Sequence, residues 1–132
     1  MDAHSSQIPE TADSLIQEVV ALAKSELRPL VAQIDQEGLY PEEFLQSLGD
    51  SGGFASIGSV EQGGNGLGLG TQIRTLAAVG AECGSTAFLG WCQSACGWYL
   101  RQTPNAAVRE RYLSHVLRAQ WLAGTGMSNT VK

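Results

Sequence analysis

Residues 85–100 read STAFLGWCQSACGWYL, a stretch without a single formal charge. Apolar side chains recur in it at offsets of three, four, seven, eight and eleven, which places them on one side of a helix. The residues of this row are Phe88, Trp91, Cys92, Ala95, Cys96 and Tyr99, and Leu89, Trp98 and Leu100 fall on other sides. A helix that is apolar nearly all round must be buried on several sides. We therefore expect this helix to form the core, with Trp91 among its largest buried groups.

A helix that spans a membrane is the alternative for such a stretch. A span needs about 20 predominantly apolar residues. This stretch is shorter, contains Gln93, Ser94 and two glycines, and ends at Arg101. We predict a buried helix and no membrane span.

The composition is that of one folded domain with a surface partly covered by a partner. The chain has 132 residues, of which 43% are hydrophobic and only 16% are charged. The formal net charge of −5 leaves no basic stripe for nucleic acid. The three cysteines are odd in number, and MDAHSSQIPE contains no hydrophobic signal segment, so we expect the reducing cytoplasm.

The pattern before the central stretch predicts a leader and two helices. Residues 1–10 are polar and without periodicity, so we predict a disordered leader. From Thr11 an amphipathic helix begins, with Pro29 inside it, where a kink or break is expected. Its apolar face is made of Ile16, Val20, Ala23, Leu27, Leu30, Val31 and Ile34. After Gly38 a second helix opens at Pro41 and buries Phe44, Leu45 and Leu48.

Nine glycines between Gly49 and Gly70 remove all periodicity, so this segment is predicted to be a loop and not a dinucleotide-binding fingerprint. Thr71 is the predicted N-cap of the next helix, whose buried face is Ile73, Leu76, Ala77 and Gly80. Thr103-Pro104 opens a last helix with Val108, Tyr112, Leu113, Val116 and Leu117 inside. The sequence therefore predicts an all-α five-helix bundle over residues 11–119, and residues 120–132 resemble the start of a second domain.

No residue type and spacing in the chain defines a catalytic site. Cys92 and Cys96 lie one helical turn apart, but structural zinc wants four ligands, so we interpret the cysteines as small buried hydrophobes. His115 has no marked nucleophile as its partner. Glu42, Glu43 and Glu110 are explained by helix dipoles and solvent. We predict no metal site and no catalytic residue within this chain.

The order of these signals resembles the N-terminal helical domain of the acyl-CoA dehydrogenase family of flavoproteins, over roughly residues 18–129. The resemblance is carried by LRPLVAQIDQEGLYPEEFLQSLGDSGGFASIG, by VEQGGNG, and by RERYLSHVLRAQWLAGTG. It implies an FAD enzyme that oxidises acyl-CoA thioesters between the α and β carbons. It also implies a following β-domain, absent here, that starts in residues 120–132, and a C-terminal helical domain that carries the catalytic glutamate.

The family resemblance also suggests which residues contact ligands. Leu122, Gly124 and Thr125 are the implied flavin neighbours. The implied substrate contacts are Trp91, Gln93, Ser94 and Ser128. We expect a homo-oligomer, and we expect the isolated chain to be inactive and to bind FAD weakly or not at all.

Two alternatives to a dehydrogenase remain open. One is a non-enzymatic helical interaction module that pairs through its apolar surface. The other is a part of a related flavin-dependent monooxygenase, because GTGMSN stands where the family usually has Thr-Glu-Pro.

Overall fold

The structure of the protein is a computed structural model that describes residues 11–126, and these residues form a helical bundle without a β-strand. The predictions for residues 1–10 and for Ser128 lie outside the described residues. The helices are α1 (Ala12–Leu22), α2 (Val31–Glu37), α3 (Glu42–Asp50), α4 (Leu69–Gly80), α5 (Gly84–Gln102) and α6 (Ala106–Leu117). A continuous helical backbone joins α1 to α2, so the predicted all-α fold with five helical bodies is confirmed.

The first helical body comprises α1, α2 and the helical segments between them, and it is distorted around Pro29 but not broken. Thr11 caps it, because the Thr11 hydroxyl accepts a hydrogen bond from the Ser14 amide and the Ser14 hydroxyl accepts one from the Thr11 amide. The backbone then becomes π-helical over Ala23–Leu27 and 3-10 helical over Arg28–Leu30. Pro29 cannot donate an α-helical hydrogen bond, and these two segments accommodate that loss.

The core lies between the first helical body, α3, α4 and the glycine-rich loop. Its buried residues are Leu15, Val19, Ala23, Leu27, Phe44, Leu45, Leu48, Phe54, Val79, Cys83 and Ala119. A smaller cluster of Ile57, Leu113 and Leu117 lies under α6. The predicted burial of Phe44, Leu45 and Leu48 is confirmed.

The glycine-rich segment is a loop, as predicted, but its residues 53–58 are buried. Phe54 is fully buried, and the backbone of this part forms hydrogen bonds with α4 and with the end of the loop itself. Gln72 Nε2 donates to the Gly53 carbonyl at 2.7 Å, and the Gly68 amide donates to the Ser56 carbonyl at 2.7 Å. Such bonds supply the partners that a buried loop needs. The glycines permit close contact, since a Cβ atom on Gly49 would lie 2.5 Å from the Arg118 carbonyl oxygen.

The predicted central role of the row on α5 is wrong. Phe88 is 63% exposed, Tyr99 is 48% exposed and Trp91 is 46% exposed. The buried side of α5 consists instead of Thr86, Gly90, Gln93, Ser94 and Gly97. Small residues let α5 pack closely between α4 and α6, as a Cβ atom on Gly90 would lie 3.0 Å from Leu76 Cδ2.

The buried face of α4 was also predicted wrongly. Ile73 is exposed, and Thr71, Gln72, Thr75 and Val79 are the buried residues. The helix begins at Leu69 after Gly68, so Thr71 is not its N-cap. In α6 the N-cap is Asn105, whose side chain accepts from the Val108 amide, and not Thr103. The predicted burial of Leu113, Val116 and Leu117 is confirmed.

An ion pair joins the first helical body to the end of α4. Arg28 Nε lies 2.7 Å from Glu82 Oε2, and the second guanidinium nitrogen lies 2.8 Å from Glu82 Oε1. The hydrogen bond from Arg28 lowers the pKa of the Glu82 carboxyl group below its usual value. No helix within residues 11–126 is long and apolar enough to cross a membrane.

Candidate functional site

A cleft of about 340 Å³ opens where the chain that follows α6 crosses α5. Its lining residues are Tyr40, Leu45, Leu89, Cys92, Gln93, Leu122, Ala123, Gly124 and Thr125. Tyr40, Leu45 of α3 and three residues of α5 line one part of it, and residues 122–125 line the other. The volume lies near the lower end of the range for ligand pockets, about 300 to 1,000 Å³.

Gln93 connects the two walls of this cleft. Its Nε2 donates to the Val116 carbonyl at 2.8 Å and to the Trp121 carbonyl at 3.0 Å. Its Oε1 accepts from the Ala123 amide at 2.6 Å. The side chain is only 2% exposed, and both of its N–H donors are occupied by backbone oxygens.

Aromatic rings hold the start of the crossing segment against α6. The Trp121 indole stacks on His115 with ring centroids 4.4 Å apart, and it lies 5.7 Å from the Tyr112 ring. His115 Nδ1 lies 2.7 Å from Gln120 Oε1. From the sequence, neither Trp121 nor Tyr40 was proposed as a site residue. Trp121 could have been noticed, because it is a tryptophan located where the helical pattern stops.

The structure brings together four of the seven residues that the family resemblance implied. Leu122, Gly124 and Thr125 line the cleft beside Gln93. Trp91 does not line it and stacks on Phe88, with ring centroids 5.6 Å apart. The Ser94 hydroxyl is buried and donates to the Gly90 carbonyl of its own helix at 2.9 Å. The ligand roles of all these residues stay predictions.

The residues of the cleft fit the edge of a planar, partly apolar ligand such as a flavin ring. Leu45, Leu89 and Leu122 supply apolar surface. Within residues 11–126, the Gly124 and Thr125 amides have no hydrogen-bond partner, so they can donate to a ligand. The volume is small for a whole dinucleotide, so the cleft would hold one part of FAD.

The cleft can bind and orient a ligand, but its lining contains no Asp, Glu or His to move a proton.

Outside the cleft, burial raises the pKa of the Cys96 thiol, which favours its neutral form. Within the described residues, no group of three or more His, Cys, Asp and Glu could hold a metal ion.

Comparison with known proteins assigns the chain to a family. The family model described as "Acyl-CoA dehydrogenase, N-terminal domain" matches residues 9–120. The human protein "Short-chain specific acyl-CoA dehydrogenase, mitochondrial" is 32% identical over 80 residues, which cover 61% of this chain and 19% of that protein. The match thus spans about a fifth of the length of this relative, and no solved structure matches. The chain therefore belongs to the acyl-CoA dehydrogenase family, through that family's N-terminal helical domain.

Proposed function

We propose that this chain is the N-terminal domain of an FAD-dependent oxidoreductase that acts on the CH–CH group of acyl-CoA thioesters. In this proposal it contributes one wall of the site for the acyl group and the flavin. The observation that supports the proposal is the cleft beside residues 122–125, which follow directly after the family match to residues 9–120. The companion β-domain and C-terminal helical domain would supply the remaining walls and the catalytic base.

The proposed roles of the cleft residues follow from their positions. FAD, when bound, supplies the electron acceptor for the oxidation of the thioester. The Gly124 and Thr125 amides donate hydrogen bonds to the flavin, and Leu122 covers part of its apolar edge. Leu45 and Leu89 keep water away from the opposite wall. Trp91 and Ser94 remain proposed substrate contacts only if the helices shift when the companion domains bind.

The chain extended by any coding sequence downstream of Lys132 provides the test. We expect this protein to purify with bound flavin, and we expect an acyl-CoA to bleach the flavin absorbance under anaerobic conditions. The 132-residue chain alone should lose flavin during gel filtration, because the cleft holds only part of the cofactor. Stoichiometric flavin on the short chain, or no bleaching of the extended protein by acyl-CoAs of several chain lengths, would contradict the proposal.

A non-enzymatic interaction module is the second candidate, and the exposed row on α5 favours it. Phe88, Trp91 and Tyr99 present aromatic surface to solvent along one side of the helix. A genuine stop codon directly after Lys132 would support this candidate.

The flavin-dependent monooxygenase is the other alternative. It would be supported if the flavin of the extended protein is not bleached by acyl-CoA but reacts with oxygen after external reduction.

The compartment and the assembly are proposals as well. We propose the cytoplasm on the reasoning from the cysteines, although the human relative is named as mitochondrial. We also propose a homo-oligomer, which light scattering on the extended protein would test.

A further inference from the structure

The side-chain amide of Gln93 on α5 bonds only to a distant part of the chain. The three hydrogen bonds go to the backbone at Val116, Trp121 and Ala123, between 23 and 30 residues away. By contrast, the neighbouring Ser94 bonds within its own helix. A buried amide with several backbone partners strongly restrains the segment that it binds.

The choice of partners defines the conformation that Gln93 selects. The Trp121 carbonyl and the Ala123 amide flank Leu122 in the chain. The Gln93 carboxamide donates to the first and accepts from the second, so one side chain binds the backbone on both sides of Leu122. The Gln93 side chain therefore supplies the partners that a neighbouring stretch of backbone would otherwise supply.

Other backbone amides of the same segment stay available. Within the described residues, neither the Leu122 amide nor the Gly124 amide has a hydrogen-bond partner. The segment is thus fixed at the Trp121 carbonyl and the Ala123 amide, and its Leu122 and Gly124 amides are open for other partners.

We propose that Gln93 is a positioning residue that fixes the backbone of residues 121–123 and so places the Leu122–Thr125 wall for its ligand. The part that concerns the ligand rests on the proposed function. Both N–H donors of Gln93 are occupied by protein carbonyls, so they are not available to a ligand and Gln93 acts through the segment that it binds. This assigns to Gln93 a different role from the substrate contact that the family resemblance implied.

Amide hydrogen exchange tests the restraint directly, in the protein extended by the coding sequence downstream of Lys132. We expect Ala123 to exchange about 100-fold more slowly than Thr125 in the unmodified protein, as buried hydrogen bonds must open before exchange. Gln93→Met should abolish this difference. The matched control is Gln72→Met, which removes another buried glutamine whose amide donates only to the Gly53 carbonyl. It should leave the protection of Ala123 intact.

Titration of the same variants with FAD tests the consequence for the site. We expect Gln93→Met to raise the dissociation constant about tenfold and Gln72→Met to leave it unchanged, since loss of preorganisation weakens binding. Equal exchange of Ala123 and Thr125 in the unmodified protein would overturn the restraint, even if Gln93→Met does not fold. If Gln93→Met loses the protection of the Ala123 amide but keeps its affinity for FAD, the positioning role is wrong and the proposed function still stands. Absence of FAD binding by the unmodified protein would instead refute the proposed function, and exchange would still decide the restraint.

Discussion

Two phenylalanines offer a direct test of where the core lies, because the same substitution should destabilise the protein strongly at one site and weakly at the other. Phe54 is fully buried in the glycine-rich loop, whereas Phe88 on α5 is 63% exposed. Phe54→Ala should lower the free energy of unfolding by about 3 to 5 kcal/mol, since it removes a core aromatic and leaves a cavity. This is a large share of the total of about 5 to 15 kcal/mol for an ordinary domain.

The expected loss of unfolding free energy in Phe88→Ala follows from the part of the Phe88 surface that is buried. An aromatic side chain of this size buries about 150 Å² when fully covered. The remaining 37% that is hidden at Phe88 corresponds to about 60 Å², or about 1.5 kcal/mol at about 25 cal/mol per Å². The extended reference chain exaggerates such values, so Phe88→Ala should cost about 1 kcal/mol.

Urea denaturation followed by circular dichroism distinguishes the two cases. With a slope of about 1.5 kcal/mol per M, Phe54→Ala should lower the midpoint by about 2 to 3 M and Phe88→Ala by less than about 1 M. Equal shifts at the two sites would refute the placement of the α5 row outside the core. The comparison should be repeated at two protein concentrations, because self-association through this row would make its apparent contribution concentration-dependent.

Two further substitution experiments test other features of the fold. Gly49→Ala should destabilise the protein by about 1 to 3 kcal/mol, because the new Cβ atom would lie 2.5 Å from the Arg118 carbonyl oxygen. Gly70→Ala is the control, since no heavy atom lies within 4 Å of its Cβ position, and it should be neutral or slightly stabilising. Thermal melts measure both effects. The lowered pKa of Glu82 means that the stabilisation from its ion pair is present above about pH 4.3, the ordinary pKa of a glutamate, and is lost as pH falls through the lowered value. Glu82→Gln should therefore lower the melting temperature at pH 7 and make little difference at the acid end, and an equal effect at both pH values would contradict this reasoning.

The positions of the helices were predictable from the sequence because local signals define them. Apolar periodicity, Gly38 and Pro41 gave the first helical body and α3. The buried faces of α4 and α5 were not predictable in the same way, because apolar spacing shows which residues share a face and not which face is covered. On α5 the covered face is the one with small residues, where Gly90 and Gly97 allow neighbouring side chains to approach.

The site was accessible from sequence only through the family resemblance. Leu122, Gly124 and Thr125 carry no local motif, and the cleft that they line depends on contacts with a helix about 30 residues earlier. The role of Gln93 could not be predicted, because a single polar residue on an apolar helix looks the same whether it meets a ligand, water or backbone. Only the three-dimensional arrangement identifies its partners as Val116, Trp121 and Ala123.

The π-helical segment Ala23–Leu27 has a consequence for the length of the chain. Its hydrogen bonds join residues five apart, as between the Arg28 amide and the Ala23 carbonyl, so it holds one residue more than an α-helical turn would need. Removal of one residue here would restore ordinary α-helical bonding and leave the residues on either side on their present faces. The same deletion in the middle of α1 would rotate Val19 and all later side chains by about 100° relative to Leu15. We therefore expect this segment to be the place in the first helical body where the chain can lose a residue at least cost.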